Sequence, residues 1–427
     1  MHMNLPALTE AQPLDLFTAE LAANPYPTYA WLRGRWGVEY RSPSSTDRHF
    51  VVLSRYADVQ LALRDPRFGR KGYGERLRAN LGDGPLSRSL SRWLLFEDPP
   101  DHTRLRRLIN QAFTPRAVEQ LRERIRTLVG GLLARVQRRS AFDLIAEVAA
   151  PLPVLVICDL LGIPACDRHL FADWSTALAA SLDHLTAPEI ESLQRGNAAA
   201  AGLTAYFADL LERRRKASGD DLLSGLVQAA DDGTRLSEDE LLATCVLLFF
   251  AGHETTVNLI GNGMLALLRT PDQLQRLQQR PALIDNAVEE LLRFDSPVQR
   301  TARVALTDVE LQDGNLIRSG DIVTVLIGAA NRDPSQFPEP DQLDLQRANA
   351  SRHLSFGAGI HYCVGAPLAR LEAQVALAEL VRRLPRLSLL EPCPRWRPTF
   401  GLRALESLSV ASGTCSSSFR ATPVATR

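Results

Sequence analysis

The segment Phe356-Gly357-Ala358-Gly359-Ile360-His361-Tyr362-Cys363-Val364-Gly365 restricts what this chain can fold into more than any other stretch. It sets one cysteine in a glycine-rich loop that runs straight into a helical pattern from Pro367 to Leu384. A thiol there meets the unpaired N–H groups and the positive dipole end of a helix, which favour an anion. Those conditions lower a thiol pKa and yield a thiolate able to ligate a metal. Gly357, Gly359 and Gly365 let the backbone approach something large and flat with no Cβ in the way. A free cysteine is more often a small buried hydrophobe, so the rest of the chain must supply a matching site.

A thiolate in such a loop suits a haem-thiolate centre. The decamer resembles the haem-ligand loop of the cytochrome P-450 family, with Phe356, Gly357, Gly359, His361, Cys363 and Gly365 in register. Leu368-Ala369-Arg370-Leu371-Glu372 continues the match, and the likeness covers roughly Leu14 to Val410. It implies haem b as cofactor and Cys363 as the axial ligand of its iron. It also implies one large domain, mainly α with small β-sheets (α+β), with a long central helix over the haem. That domain is expected over residues 1–410, followed by a disordered C-terminal tail over 411–427.

The 427 residues would allow two or three domains, but motifs spread from His102 to Phe400 must converge on one site. Apolar content of 45% is ample for a substantial core. A formal net charge of zero argues against nucleic-acid binding steered by overall charge. Six cysteines show no CxxC pair or regular spacing, so neither a disulfide framework nor a zinc site is expected, and a reducing cytoplasm fits. The N-terminus has no apolar run resembling a signal or anchor. The apolar stretch Leu241 to Gly252 is too short to span a bilayer, so a soluble protein without a membrane anchor is expected.

Phe50 to Leu53 reads as a short strand after the turn signal Asn24-Pro25-Tyr26-Pro27. Asp65 to Trp93, rich in Gly, Arg and Ser, reads as a long ordered loop. Helical periodicity dominates from Asp101 to about Arg386, interrupted between Asp295 and Asn331. There Val309–Leu311, an Asp313-Gly314 turn and Ile322–Ile327 predict a small sheet.

Ser237-Glu238-Asp239-Glu240 is a capping box that should open a helix running to about Leu268, ended by Thr270-Pro271. Its middle, Ala251-Gly252-His253-Glu254-Thr255-Thr256, weakens a buried helix, so function or tertiary context must offset the cost. The pattern resembles the family's oxygen-binding segment, in which Ala251 and Gly252 lie against the haem. By that resemblance Thr255 would hydrogen-bond dioxygen and Glu254 would relay protons to it. From the residues alone, Thr255 bonding back to the preceding turn and a paired or solvated Glu254 is an equal alternative.

Glu290 and Arg293 fall at i, i+3 on one helix face, ordinarily a surface pair worth little. The resemblance makes them instead a buried structural pair that locks the core behind the haem loop. The family's usual third basic partner is replaced by Gln342, which puts a three-residue network in doubt. Haem propionates need positive or hydrogen-bonding partners. His102, Arg106, Arg303 and His361 fall at the family positions for that role.

No flavin or nicotinamide fingerprint is present. By resemblance, electrons come from a ferredoxin and a separate NAD(P)H-dependent reductase, to a monomeric enzyme, with Arg104, Arg107, Arg116 and Arg370 as candidate docking contacts. The Phe68–Phe96 loop, Phe171–Leu193, Leu247 to Ala251, Val298–Arg300 and the turn near Phe400 would line the substrate pocket. Most are apolar, which suits a hydrophobic small molecule such as a terpenoid, fatty acid or polyketide macrolide. Arg300 is the polar exception. A peroxide-driven peroxygenase would not need the Glu254–Thr255 pair, and a degenerate haem-binding partner protein should have lost Cys363. The resulting expectation is a monooxygenase that hydroxylates or epoxidises its substrate with dioxygen.

Overall fold

A computed structural model describes residues 18–35, 50–113, 115–183, 190–219, 221–231, 236–399 and 401–413. The fold is organised about one helix, Glu238–Arg269, of 32 residues. At 1.5 Å per residue it is about 48 Å long. The predicted capping box forms: the Ser237 hydroxyl accepts from the Glu240 N–H, and the Glu240 carboxylate accepts from the Ser237 N–H. Thr270 closes the other end.

Two apolar cores hold this helix, one on each half. Leu241, Val246 and Phe249 pack with Phe171, Phe207 and Leu223 in one core. Val257, Ile260, Met264 and Leu267 pack with Ile125, Val129, Leu291 and Leu377 in the other. The helix is long and apolar enough to cross a membrane by composition alone, but its apolar faces are used by these cores. Its weak middle therefore needs no intrinsic helix propensity, because both flanks are pinned by burial.

Among the described residues the strands are β1 (Phe50–Leu53), β2 (Phe68–Gly69), β3 (Ala141–Asp143), β4 (Arg300–Ala305), β5 (Val309–Glu310), β6 (Leu316–Ile317), β7 (Ile322–Leu326), β8 (Ser388–Leu389) and β9 (Ser409–Ala411). They form three sheets in the orders β1-β7-β4-β2, β3-β9-β8 and β5-β6. β1 lies parallel to β7, and β4 runs antiparallel to β7 with Arg303 opposite Val323. Gly314, at φ +82, makes the expected turn between β5 and β6. The architecture is mainly helical with small sheets.

Some boundaries differ from the sequence expectation. The stretch predicted as a long loop holds helices at Lys71–Leu81 and Pro85–Leu90, whose Leu77, Leu81, Leu86 and Leu90 enter a core. Four inward leucines outweigh the low helix propensity of its glycines and serines. The expected tail start, Ala411, is the last residue of β9, and the Ser412 hydroxyl donates to the Arg139 carbonyl at 2.5 Å. Residues 414–427 lie outside the described residues.

Glu290 and Arg293 stand on the helix Ile284–Phe294, and both side chains are fully buried. Arg293 Nε and Nη2 donate to the Glu290 carboxylate at 2.7 and 2.8 Å. The third basic partner exists after all: Arg347 Nε lies 3.1 Å from each Glu290 oxygen. Gln342 joins through its backbone carbonyl, which accepts from Arg293 and Arg347 at 3.2 and 3.1 Å. Glu339, in the left-handed region at φ 46, turns its carbonyl to Arg347 at 3.2 Å. One carboxylate thus binds two guanidiniums, and each guanidinium clamps carbonyls of the segment 338–342.

Removing one member of a buried ion network leaves an uncompensated charge and costs about 3–5 kcal/mol. Arg347→Ala is therefore expected to lose that much in urea unfolding, or to fail to fold. Gln342→Ala, which keeps the carbonyl, should change stability by less than about 0.5 kcal/mol.

Candidate active site

A cavity of about 460 Å³ opens beneath the middle of the central helix. Cys363, Phe356, Gly357, Gly365 and His361 border it from the cysteine loop, and Ala251, Gly252 and Thr255 from the central helix. His102, Arg106 and Arg303 also reach it. The sequence-predicted catalytic and haem-binding residues thus meet at one cavity, with Glu254 the exception discussed below.

Local backbone geometry places the thiol. The Cys363 N–H donates to the Phe356 carbonyl at 2.9 Å, folding the loop back on itself. Gly357 has φ +71. Gly359 has φ +68, and a Cβ there would sit 2.6 Å from the Leu63 carbonyl oxygen. Gly359 is therefore required by the neighbouring helix Tyr56–Arg64, not by the cavity. The following helix, Ala366–Arg383, has Gly365 as its N-cap.

The thiol differs from expectation in its titration. The Cys363 side chain is open to the cavity, yet desolvation by the surrounding fold pushes its thiol up from the usual value. The N–H of Gly365 and the guanidiniums of Arg106 and Arg370 pull the other way without prevailing. Coordination to a cation in the cavity would favour the thiolate directly.

One wall of the cavity is cationic. The His102 and His361 rings stand 4.4 Å apart, and each Nε2 is buried without a hydrogen-bond partner among the described residues. Burial, then the charge of Arg106, brings His102 down to about 4. Burial, then Arg70 and Arg303, brings His361 down to about 2. Arg303 is buried, and burial followed by the charge of Arg70 holds it well below its usual value. Arg106 is half-buried and donates to the Tyr362 carbonyl at 2.6 Å.

Sequence reasoning missed Arg70. It is 4% exposed, donates to the Leu95 and Ala302 carbonyls at 2.9 and 3.0 Å, and burial brings it down to about 10. It stands in the weakly periodic stretch after Asp65, where no spacing marks it. Asp98 is near, but its carboxylate accepts from the Arg70 and Lys71 backbone N–H groups at 2.8 and 3.0 Å. Two buried guanidiniums and two unpartnered imidazoles facing one cavity call for an anion. The propionate carboxylates of a haem fit that requirement, and the cavity-facing Cys363 thiol supplies the donor its iron takes.

On the opposite element, the Thr255 hydroxyl donates to the Ala251 carbonyl at 3.0 Å and lines the cavity. Glu254, buried, is turned away from the cavity and meets Arg397 at 3.4 Å. His253 points elsewhere again, 2.5 Å from the Ser175 hydroxyl.

The remaining wall is apolar: Leu77, Trp93, Phe96, Leu247, Phe250 and Val298, with Arg300 also on the rim. The described part of Phe171–Leu193 does not reach it, because Phe171 packs edge-on against Phe249 at 4.9 Å in a core. Phe400 lies outside the described residues; Gly401 and Leu402 line the cavity. Of the four candidate docking arginines, Arg104 pairs with Glu240 and Arg370 pairs with Glu289 at 2.6 Å. Burial would raise the Glu289 carboxyl, but hydrogen bonds from His353 and Arg370 outweigh it and bring it to about 2. Arg107 and Arg116 are exposed.

Comparison with known proteins agrees with this geometry. The family model for Cytochrome P450 matches residues 18–385. Vitamin D(3) 25-hydroxylase of Pseudonocardia autotrophica is 45% identical over 386 residues, covering 89% of this chain and 91% of the relative. Polyketide biosynthesis cytochrome P450 PksS of Bacillus subtilis is 40% identical over 366 residues, covering 84% and 88%. The solved structure of P450BioI with hexadec-9Z-enoic acid-ligated acyl carrier protein superposes with a TM-score of 0.83 at 39% identity, over 92% of this chain and 100% of that one. A cationic wall for propionates, a thiol facing the same cavity and a match over most of the length leave one conclusion: the chain belongs to the cytochrome P450 family, and is a haem b-dependent monooxygenase.

Proposed function

We propose that this monooxygenase inserts one atom of dioxygen into a C–H or C=C bond of a hydrophobic small molecule, the other atom leaving as water. The observation that carries this is a single cavity bordered by Cys363, by Thr255 and by an apolar wall. Haem bound there supplies the oxygen-activating iron, and a thiolate ligand pushes electron density that favours O–O cleavage. Cys363 is the ligand in this reading, with Phe356, Gly357 and Gly365 shaping its loop. Ala251 and Gly252 keep the opposite surface low enough for a flat group. His102, His361, Arg303, Arg106 and Arg70 hold the propionates.

Thr255 and Glu254 handle protons. Thr255, whose hydroxyl already donates to the Ala251 carbonyl, can turn its proton into the cavity and be recharged from Glu254. Trp93, Phe96, Leu247 and Phe250 give the cavity an apolar wall, which in this reading favours proton delivery through side chains. An acid–threonine pair serves reduction of dioxygen better than use of preformed peroxide. Electrons come from a ferredoxin-type donor and its reductase, docking on the cysteine side, where Arg107 is exposed. Free Cys158, Cys166, Cys245, Cys363 and Cys393 suit a reducing cytoplasm.

The wall chemistry and the relatives support a lipid-like or polyketide substrate. Optical titration of the ferric protein with sterols, fatty acids and macrolactones is expected to give a low-to-high-spin Soret shift with one of these classes. No shift with any free compound would redirect the substrate to a carrier-bound form.

Residue roles are tested separately. Cys363→His is expected to retain haem while losing monooxygenase turnover; retained turnover would reject the ligand assignment. Thr255→Ala should divert oxygen to peroxide, lowering product per electron pair about tenfold. The double change Arg70→Met, Arg303→Met should speed transfer of haem to apomyoglobin by about tenfold or more.

A further inference from the structure

We propose that His253 is a positioning residue: its hydrogen bond to Ser175 fixes the rotation of the central helix, and with it the direction of the Thr255 hydroxyl. This rests on the reading of Thr255 as the residue that meets dioxygen. Ser175 stands on the helix Arg168–Asp183, and its Oγ lies 2.5 Å from His253 Nδ1. Both residues are buried, Ser175 completely. Neither lines the cavity, whereas Gly252, Thr255 and Thr256 do. His253 therefore acts on the cavity only through the helix that carries it.

The seam around this pair is apolar and defines no rotation by itself. One turn earlier on both helices, Phe171 meets Phe249 edge-on at 4.9 Å. Leu178, Leu203 and Val246 belong to the same core. Contacts of this kind are non-directional, so the helices could slip or turn against each other with most of the burial kept. A polar pair inside an apolar helix seam sets the register instead, because any other register leaves both groups unpaired. Among the described residues, no other side-chain hydrogen bond joins these two helices.

The pin sits where the central helix is least able to hold itself. The Thr255 and Thr256 hydroxyls donate back to the Ala251 and Gly252 carbonyls at 3.0 and 3.2 Å, and back-bonding of this kind loosens and bends a helix. The two cores grip the helix up to Phe249 and again from Val257, which leaves residues 250–256 between them. Neighbouring residues are about 100° apart around a helix, so any turn at His253 carries Thr255 with it. Burial lowers the His253 ring from its usual value and keeps it neutral. A neutral imidazole has one donor and one acceptor nitrogen, so the pair holds with no counter-ion.

The test uses the haem-loaded, reduced protein with carbon monoxide as the probe, since its C–O stretch responds to polar groups beside the bound gas. The infrared band is compared for His253→Phe, Ser175→Ala, their double variant, His253→Asn and Thr255→Ala. His253→Phe and Ser175→Ala should each shift and broaden the band in the same direction, and the double variant should shift it no further than the larger single change. His253→Asn keeps a hydrogen-bonding atom where Nδ1 stands and should stay near the parent. With Thr255→Ala already in place, neither change should move the band. The double variant puts apolar groups on both sides of an apolar seam, so its urea midpoint should stay near the parent's; a shifted band at unchanged stability separates positioning from folding. Ser175→Ala, which deletes one hydroxyl, carries the test alone where His253→Phe does not fold. Parent-like bands in the single variants, shifts that add in the double variant, or shifts that survive in the Thr255→Ala background would overturn the pin alone. No change for Thr255→Ala would overturn the reading of Thr255, and the pin with it.

Discussion

The buried carboxylate of Glu290 is the interaction on which the rest of the structure depends. It has no exposed surface and is held by Arg293 and Arg347 together, with the Asp344 N–H adding a bond at 3.0 Å. A carboxylate in that position is stable only while both cations and the surrounding carbonyls stay in place. The same helix carries the next layer: the Leu292 carbonyl accepts from Ser355 at 2.7 Å, and Asn331 bridges Ser296, Ser355 and the Leu354 N–H. Ser355 immediately precedes Phe356, the first residue of the cysteine loop. The position of the thiol is thus fixed through a continuous polar network that begins at Glu290.

A second constraint acts from the other side. The central helix is anchored by a core on each half, and the segment between the cores need not pack well. That freedom is what allows Gly252, Glu254 and Thr255 to occupy a helix that would otherwise not tolerate them. The cavity lies where apolar packing stops, between a loop fixed by ions and a helix fixed by hydrophobic burial. Stability and function therefore draw on different residues, which are adjacent along the chain and separate in their contacts.

How much of this was legible in the sequence follows from how local each signal is. The Cys363 loop, the capping box at Ser237 and the strand at Ile322–Leu326 are written in consecutive residues, and the structure keeps them within a residue or two. Arg347, Arg70 and Arg397 act through partners 57, 231 and 143 positions away, and no spacing rule connects such pairs. Gln342 itself offers only a backbone carbonyl, and the third charge comes from Arg347, five positions further on. The helix Lys71–Leu81 was masked by its glycines, since only tertiary burial of Leu77 and Leu81 reveals its face. The direction of Glu254 was not legible at all: a pattern gives its place on the helix and not which neighbour its side chain meets.

The central claim is that Cys363 and no other residue binds the cofactor's iron. X-ray absorption at the iron edge of the haem-loaded protein tests it most directly, comparing the parent with Cys363→Ser. The account predicts one sulfur neighbour of the iron in the parent and none in the variant. A sulfur neighbour that persists in Cys363→Ser, or its absence from the parent, would contradict it.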